Sequence, residues 1–367
     1  MIDQARQLYQ AGVLERMVTA VPRGRVGLPR EYVANRMRWS AFHQVARRAV
    51  PRADPLLSRQ LVRDFDRWAT SQIGEPSVVN GLSGFATETL SRASAQGVTV
   101  FCDRGSWHIL EQQRALDEEA NRLGTPRARF DPFIIERELR EYHLADRILV
   151  PSEPARQSFI RRGLDPRHVV KVPYGVDVSA FSIPTRDRQP AAIISIGTVG
   201  LQKGHQHLVE AFRMLSTRGA SLTLVGAVTP GWDKRLRLDQ DGLRVTGPVA
   251  RNRVIEELQR ASIFVLASIH DGFGLVIAQA MACGLPVIAT EATGVRELIT
   301  DGVEGIVVPA PPDAQGLAQA IDSLLSDSDR VRAMGMAARR KVESFGGWER
   351  YGRQLVAAFR EGRSASQ

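Results

Sequence analysis

The segment from Leu266 to Gly305, LASIHDGFGLVIAQAMACGLPVIATEATGVRELITDGVEG, constrains this chain more than any other. An apolar run leads into a glycine turn, a helix-length stretch follows, and a second apolar run begins at Pro286. That is the order strand, turn, helix, strand. Asp271 stands just before the helix and Gln279 two turns into it. Eight residues rotate by about 800°, leaving the second side chain about 80° from the first on the helical wheel. Both can therefore meet one ligand lying across the helix start. The N–H groups of Gly272, Phe273, Gly274 and Leu275 fall in the first turn, where donors lack helical partners and the dipole favours negative charge. The segment reads as a seat for phosphate.

An α/β rhythm extends to either side of it. Strands are expected at 76–80, 98–102, 147–151 and 169–172, with helices at 86–96, 109–124, 136–145 and 154–163. A stretch containing Pro and Arg, 173–190, interrupts the pattern as a linker would. A second unit follows, with strands at 192–196, 221–225, 243–246 and 263–267, helices at 205–216 and 252–260, and three final helices at 315–326, 328–344 and 348–360. Alternation of this kind implies parallel sheets with ligands at the carboxyl ends of the strands. Ahead of residue 77 we expect a helix at 3–11 capped by Gly12, a short strand at 17–21, a basic loop at 22–29 and basic helices at 31–50 and 56–71. The first of these two helices has Val33, Met37, Ala41 and Val45 on one stripe and Arg36, Arg38, Arg47 and Arg48 opposite. Asp64-x-Asp66 is not read as a metal site, because a metal-holding D-x-D belongs at a strand end.

At 367 residues the chain has room for two domains, each with its own core. No run approaches the roughly 18 to 20 apolar residues of a membrane span. The opening MIDQARQLYQ lacks a signal pattern, and Cys102 and Cys283 form neither a disulfide framework nor a zinc spacing. Both observations lead us to expect a cytoplasmic protein. The net charge of +9 is concentrated early, residues 1–70 holding 13 arginines against 6 acidic residues. Such a surface attracts anions. We expect either a solvated arginine-rich face or peripheral contact with anionic membrane, at the inner face of the plasma membrane, through basic residues 23–67. Nothing resembles a nucleic-acid module, so nucleic acid is not an expected partner.

The loop Ile196-Gly-Thr-Val-Gly-Leu-Gln-Lys-Gly204 sits between a strand and a helix, with Lys203 placed to meet a phosphate. It matches neither the dinucleotide fingerprint nor the P-loop. Its weight comes from the second phosphate seat at 272–275, since both lie at strand carboxyl ends and one diphosphate could touch both.

Together these pieces resemble the C-terminal domain of glycosyltransferase family 4, the retaining, nucleotide-sugar-dependent enzymes of the GT-B fold also called glycosyl transferases group 1. The matching segments are QKGHQHLVEAF, LTLVG, ASIFVLAS, DGFGLVIAQAMACGLPVIAT, GVRELITDGVEGIVVP and the last helix with Trp348 and Tyr351. DRGSWHI and ADRILVPS resemble N-terminal-domain motifs of the same family. The resemblance implies two Rossmann-like domains facing across a cleft: an acceptor-side domain over 1–173, a donor-binding domain over 174–345, and a helix over 346–367 that crosses back to the first. It implies a UDP- or GDP-sugar donor, a glycan or lipid-linked acceptor, no cofactor beyond the donor, and no metal. It assigns Lys203 and the N–H groups of Gly272, Phe273, Gly274 and Leu275 to the donor diphosphate, with Gly197 and Thr198 lining the same seat. Asp271 takes sugar hydroxyls, Gln279 those of the ribose, and His108 a place near the reacting carbon.

Three features depart from the family pattern. The signature Glu-x7-Glu is here Asp271-x7-Gln279, with a carboxylate roughly 1.5 Å shorter in reach and a neutral amide in place of a charge. Weaker donor binding is expected, without its abolition. The family's arginine after the first glycine of the 197–204 loop is Thr198. The chain also starts inside the family's first helix, so either Met1 is an internal start or the N-terminal domain lacks its first strand. A degenerate, non-catalytic protein that binds a sugar nucleotide or a partner is the alternative these departures raise. An NAD-dependent sugar-nucleotide enzyme fits the α/β rhythm and lacks the fingerprint.

Overall fold

The computed structural model describes residues 1–36, 55–127 and 129–366. Its strands, in chain order, are β1 Met17–Thr19, β2 Val33–Asn35, β3 Val78–Leu82, β4 Thr99–Asp103, β5 Arg147–Val150, β6 Val169–Lys171, β7 Ala192–Ile196, β8 Ser221–Val225, β9 Leu243–Val245, β10 Ile263–Leu266, β11 Val287–Thr290 and β12 Gly305–Val308. Strands β3 to β6 form one parallel sheet in simple sequence order, and β7 to β12 form another in the order β12-β11-β10-β7-β8-β9. Helices connect the strands of each sheet, as parallel pairing requires. The result is two Rossmann-like units.

The larger sheet sets the position of the site. The chain runs outward from β7 through β8 and β9, then returns to the other side of β7 to lay down β10, β11 and β12. Neighbouring carboxyl ends at β7 and β10 thus mark a topological switch point, where the connections leave in opposite directions and open a crevice. In register, Ile193 lies beside Ile263, and Val265 beside Ile288. All four residues of β10 are fully buried, which explains why its sequence is continuously apolar instead of alternating.

The first 36 residues depart from expectation. The 31–50 helix is not formed at its start: Arg30–Tyr32 is a single 3-10 turn, and Val33–Asn35 pairs in parallel with Met17–Thr19. Val33 is β-branched and packs with Ala5, Met17 and Val26, so a tertiary contact overrides the helical period. The rest of that expected helix, with Met37, Arg38, Ala41, Val45, Arg47 and Arg48, lies outside the described residues. The 22–29 segment contains a one-turn helix, Arg23–Val26, whose terminal carbonyls accept from the Arg6 guanidinium. Asp66 is fully buried and accepts from the N–H groups of Glu88 and Thr89 and from Arg137. It caps the helix Thr87–Ala95 from a distance.

The last helix, Trp348–Ser366, packs on the first unit. Gln4 donates to the Tyr351 hydroxyl at 2.9 Å, and the Phe101 and Phe359 rings meet edge to face at 4.7 Å. Further contacts join the units directly. Ser152 Oγ donates to Gly272 O, Glu297 accepts from Glu153 N and Lys171 Nζ, and Arg235 donates to Leu123 O. Among the described residues no helix is long and apolar enough to cross a membrane.

Candidate functional site at the β7–β10 switch point

The loop after β7 and the turn after β10 are tied into one body. Ile269 N donates to Gln202 O at 2.9 Å, and Gly204 packs so closely on the Ala267 carbonyl that a side chain there would overlap it. Lys203 projects back over its own loop. Its methylenes lie 3.2 to 3.4 Å from where a Gly197 Cβ would stand, and Gly197 has φ +149°, so both the space and the backbone call for glycine. At the end of this path the Lys203 ammonium forms an ion pair with Asp271 Oδ2, with the two side chains 20% and 16% exposed. Asp271 is itself fixed by its N–H donating to Ala292 O.

Beyond Asp271 the chain turns through Gly272, Phe273 and Gly274 into the helix Leu275–Ala282. Phe273 is buried against Tyr174 and Phe345 and anchors the turn. Among the described residues no acceptor is hydrogen-bonded to the N–H groups of Gly272, Phe273, Gly274 or Leu275. Four unpartnered donors and an ammonium thus share one end of the sheet, an arrangement suited to a phosphate-bearing ligand. Thr198 is exposed at the rim, and Gln279 is half-buried on the helix with no hydrogen bond to its side chain among the described residues. No group of three or more His, Cys, Asp or Glu placed to hold a metal ion occurs among the described residues.

From the first unit, the loop after β4 closes on this turn. Gly105 O and Ser106 Cα lie directly against Gly272, so a Cβ at 272 would stand 2.9 Å from Ser106 Cα. Arg104 pairs with Glu138 at 3.2 Å and donates to Trp107 O, which holds the loop in shape. Trp107 reaches the second unit, its ring 5.7 Å from that of His270.

His108, which the sequence reading set near the reacting carbon, caps a helix in the structure. Its Nδ1 accepts from Leu110 N at 3.2 Å, its N–H donates to Ser158 Oγ, and its ring sits between Tyr142 and Phe159, each at 5.0 Å. Burial, helped by the nearby Arg162 and Arg104 and opposed by Glu111, lowers its pKa to about 4. Its polar contacts all lie within its own unit. Lys203, Asp271, Gly197 and residues 272–275 are brought together, and among the described residues no hydrogen bond joins His108 to them.

Two features escaped the sequence reading. His270 is fully buried beside Asp271, with neither ring nitrogen hydrogen-bonded. Glu119 in helix Ile109–Arg122 is buried between the units and accepts from His207 at 2.7 Å and from Gln206 at 2.9 Å. Burial would raise the Glu119 pKa, but hydrogen bonds from His207, Gln206 and Arg122 outweigh it and hold the group at about 2. Adjacency to Asp271 was the one signal for His270. Nothing local marks Glu119, since its partners lie in another unit. On the first unit a cavity of about 530 Å³ is lined by Arg59, Gln60, Arg63, Phe133 and their neighbours, with Arg59 also bound to Asp131.

Residues 180–341 match the family model for glycosyl transferases group 1. The D-inositol 3-phosphate glycosyltransferase of Geodermatophilus obscurus is 32% identical over 240 residues, 59% of this chain and 52% of that protein. The chain therefore spans about half the length of that relative. The D-inositol 3-phosphate glycosyltransferase of Paenarthrobacter aurescens is 29% identical over 345 residues, 86% of this chain and 80% of that one. Among solved structures, Anabaena HepE in complex with UDP and glucose superposes with a TM-score of 0.67 at 17% identity, over 98% of this chain and 94% of its own. That likeness gives the fold: a GT-B-like pair of Rossmann-like domains.

Proposed function

We infer that this chain, whose residues 180–341 match the glycosyl transferases group 1 family model, moves a sugar from a nucleoside-diphosphate donor to a glycan or lipid-linked acceptor with retention at the anomeric carbon. The observation that carries this reading is the Lys203–Asp271 pair at the switch point, beside the four unpartnered N–H groups of the helix start. In this reading Lys203 and those N–H groups meet the diphosphate and stabilise the charge that grows on it as the glycosidic bond breaks. Asp271 accepts from hydroxyls of the sugar, and Gln279 faces the ribose. The charge compensation comes from the chain itself, so no metal is required. We assign the donor to residues 174–345, the acceptor to 1–173, and a bridging role to the helix over 346–367.

Both curated relatives are named for inositol 3-phosphate, and the arginine-lined cavity of the first unit suits an acceptor that bears an anion. The same basic region, residues 23–67, is our proposed contact with an anionic membrane at the cytoplasmic face. We also read the first sheet as lacking the family's first strand, since among the described residues its four strands begin at Val78.

Incubating the purified protein with UDP- and GDP-sugars and a panel of acceptors, inositol phosphate included, tests the reading. Nucleoside diphosphate should be released, and Lys203→Ala should slow release by about tenfold or more. A second reading, a binding protein without turnover, is favoured by His108, which is committed to capping a helix. Nucleotide binding with no turnover from any donor would decide for it.

A further inference from the structure

His270 and Trp107 face each other across the two units with three polar atoms unpaired: His270 Nδ1, His270 Nε2 and Trp107 Nε1. His270 is fully buried and Trp107 is 8% exposed. A buried polar group left without a partner costs about 1–3 kcal/mol, and the large majority in native proteins have one. Each of the other buried histidines has at least one ring nitrogen engaged, although His205 Nε2 also lacks a partner. His108 Nδ1 accepts from Leu110, His205 Nδ1 from Gly200, and His207 pairs with Glu119. Among the described residues, His270 is the one buried histidine with neither nitrogen engaged.

Its place explains what could engage it. It precedes Asp271 directly, lies within electrostatic reach of Lys203 and Arg104, and stands where the Arg104–Trp107 loop closes on the second unit. Burial, with Lys203 and Arg104 and against Asp271, lowers its pKa to about 4, so the ring is neutral at pH 7. A neutral imidazole offers one donor and one acceptor. A phosphate oxygen can satisfy only the donor, whereas hydroxyl groups can satisfy both. Trp107 Nε1, likewise buried without a partner, is a second donor on the facing ring.

We propose that His270, with Trp107 opposite, hydrogen-bonds hydroxyl groups of the donated sugar and positions that sugar against Asp271. The proposal rests on the transferase reading above. Trp107 packs against His270 in this structure, so a sugar reaches the imidazole only when the Arg104–Trp107 loop gives way.

Titration calorimetry of wild type, His270→Phe, His270→Gln and Trp107→Phe tests it, with UDP and UDP-glucose as one ligand pair and GDP and GDP-mannose as the other. The expected result is that His270→Phe loses about tenfold in affinity for the nucleotide sugar that wild type binds. Its affinity for the diphosphate alone should stay within about twofold, because that part of the ligand lies on Lys203 and the helix start. His270→Gln, which keeps a donor and an acceptor, should restore most of the loss. Equal binding of the sugar nucleotide by His270→Phe and wild type would overturn the proposal. So would an equal loss for diphosphate and sugar nucleotide together with a lowered melting temperature, the mark of a structural histidine. If His270→Phe does not fold, Trp107→Phe carries the test, with a loss confined to the sugar nucleotide expected and unchanged binding overturning the proposal. Wild-type protein that binds none of the four ligands would remove the transferase reading itself, an outcome distinct from all of these.

Discussion

The Lys203 ammonium and the Asp271 carboxylate, from the loops after β7 and β10, hold each other in an ion pair. Each thereby occupies the other's binding capacity until a ligand takes over. A diphosphate drawing on Lys203 must compete with the carboxylate, and sugar hydroxyls drawing on Asp271 must compete with the ammonium. Asp271→Asn should therefore tighten binding of the nucleoside diphosphate by about fivefold, corresponding to about 1 kcal/mol for a partly exposed pair. Turnover should fall at the same time, because the sugar loses its carboxylate. Calorimetry beside a diphosphate-release assay checks both, and weaker diphosphate binding would show that Asp271 orients Lys203 more than it competes for it.

Gln279 is half-buried in the helix Leu275–Ala282 and has no side-chain hydrogen bond among the described residues. Restoring a carboxylate with Gln279→Glu should tighten donor binding by about threefold to tenfold if the position meets ribose hydroxyls, since a charge-assisted hydrogen bond is roughly twice as strong as a neutral one. A deoxyribose analogue of the donor should show no such gain. Unchanged binding of the ordinary donor would take Gln279 out of the site.

Gly272 is pressed against Gly105 and Ser106 of the other unit. A methyl group there meets backbone, which cannot turn aside as a flexible side chain would, so Gly272→Ala should hold the units apart. We expect turnover to fall by about tenfold or more and the radius of gyration in solution scattering to rise. Gly24→Ala, where an added Cβ meets nothing within 4 Å, is the control and should change neither.

His108 is buried neutral, its pKa lowered to about 4. In the unfolded chain it takes up a proton near its ordinary value, so on acidification the unfolded state binds that proton first. Its contribution is complete above about pH 6.5 and is lost as pH falls toward 4. His205 and His270, also lowered to about 4 by burial, act in the same sense. Melting temperature should therefore drop across that interval, and His108→Asn, which retains a capping oxygen without the titration, should make the drop shallower. An identical slope for the variant would assign the acid sensitivity elsewhere.

The second unit was legible because its signals are local. Apolar runs such as Ile263–Leu266 are strands wherever both faces are covered, and the glycines at 197, 204, 272 and 274 mark backbone that has to bend or approach closely. Lys203 and Asp271 followed from their place at strand ends. The packing of His108 depends on Tyr142, Phe159 and Ser158, none near it in sequence, so its helix cap was not legible there. Val33 shows the same limit, its helical spacing yielding to a parallel partner at Met17. The Glu119–His207 contact belongs to neither unit, and no periodicity in either stretch encodes it.

The edge-to-face contact of Phe101 with Phe359 orders the life of this chain on the ribosome. Strand β4 is made well before the ring that covers its Phe101, which follows only after the whole second unit. Until then a central aromatic of the first sheet lacks the ring that covers it in the folded protein. The first sheet is thus completed only by a segment that follows the second unit in the chain, and a nascent chain lacking that segment carries an uncovered apolar sheet face of the kind that invites association.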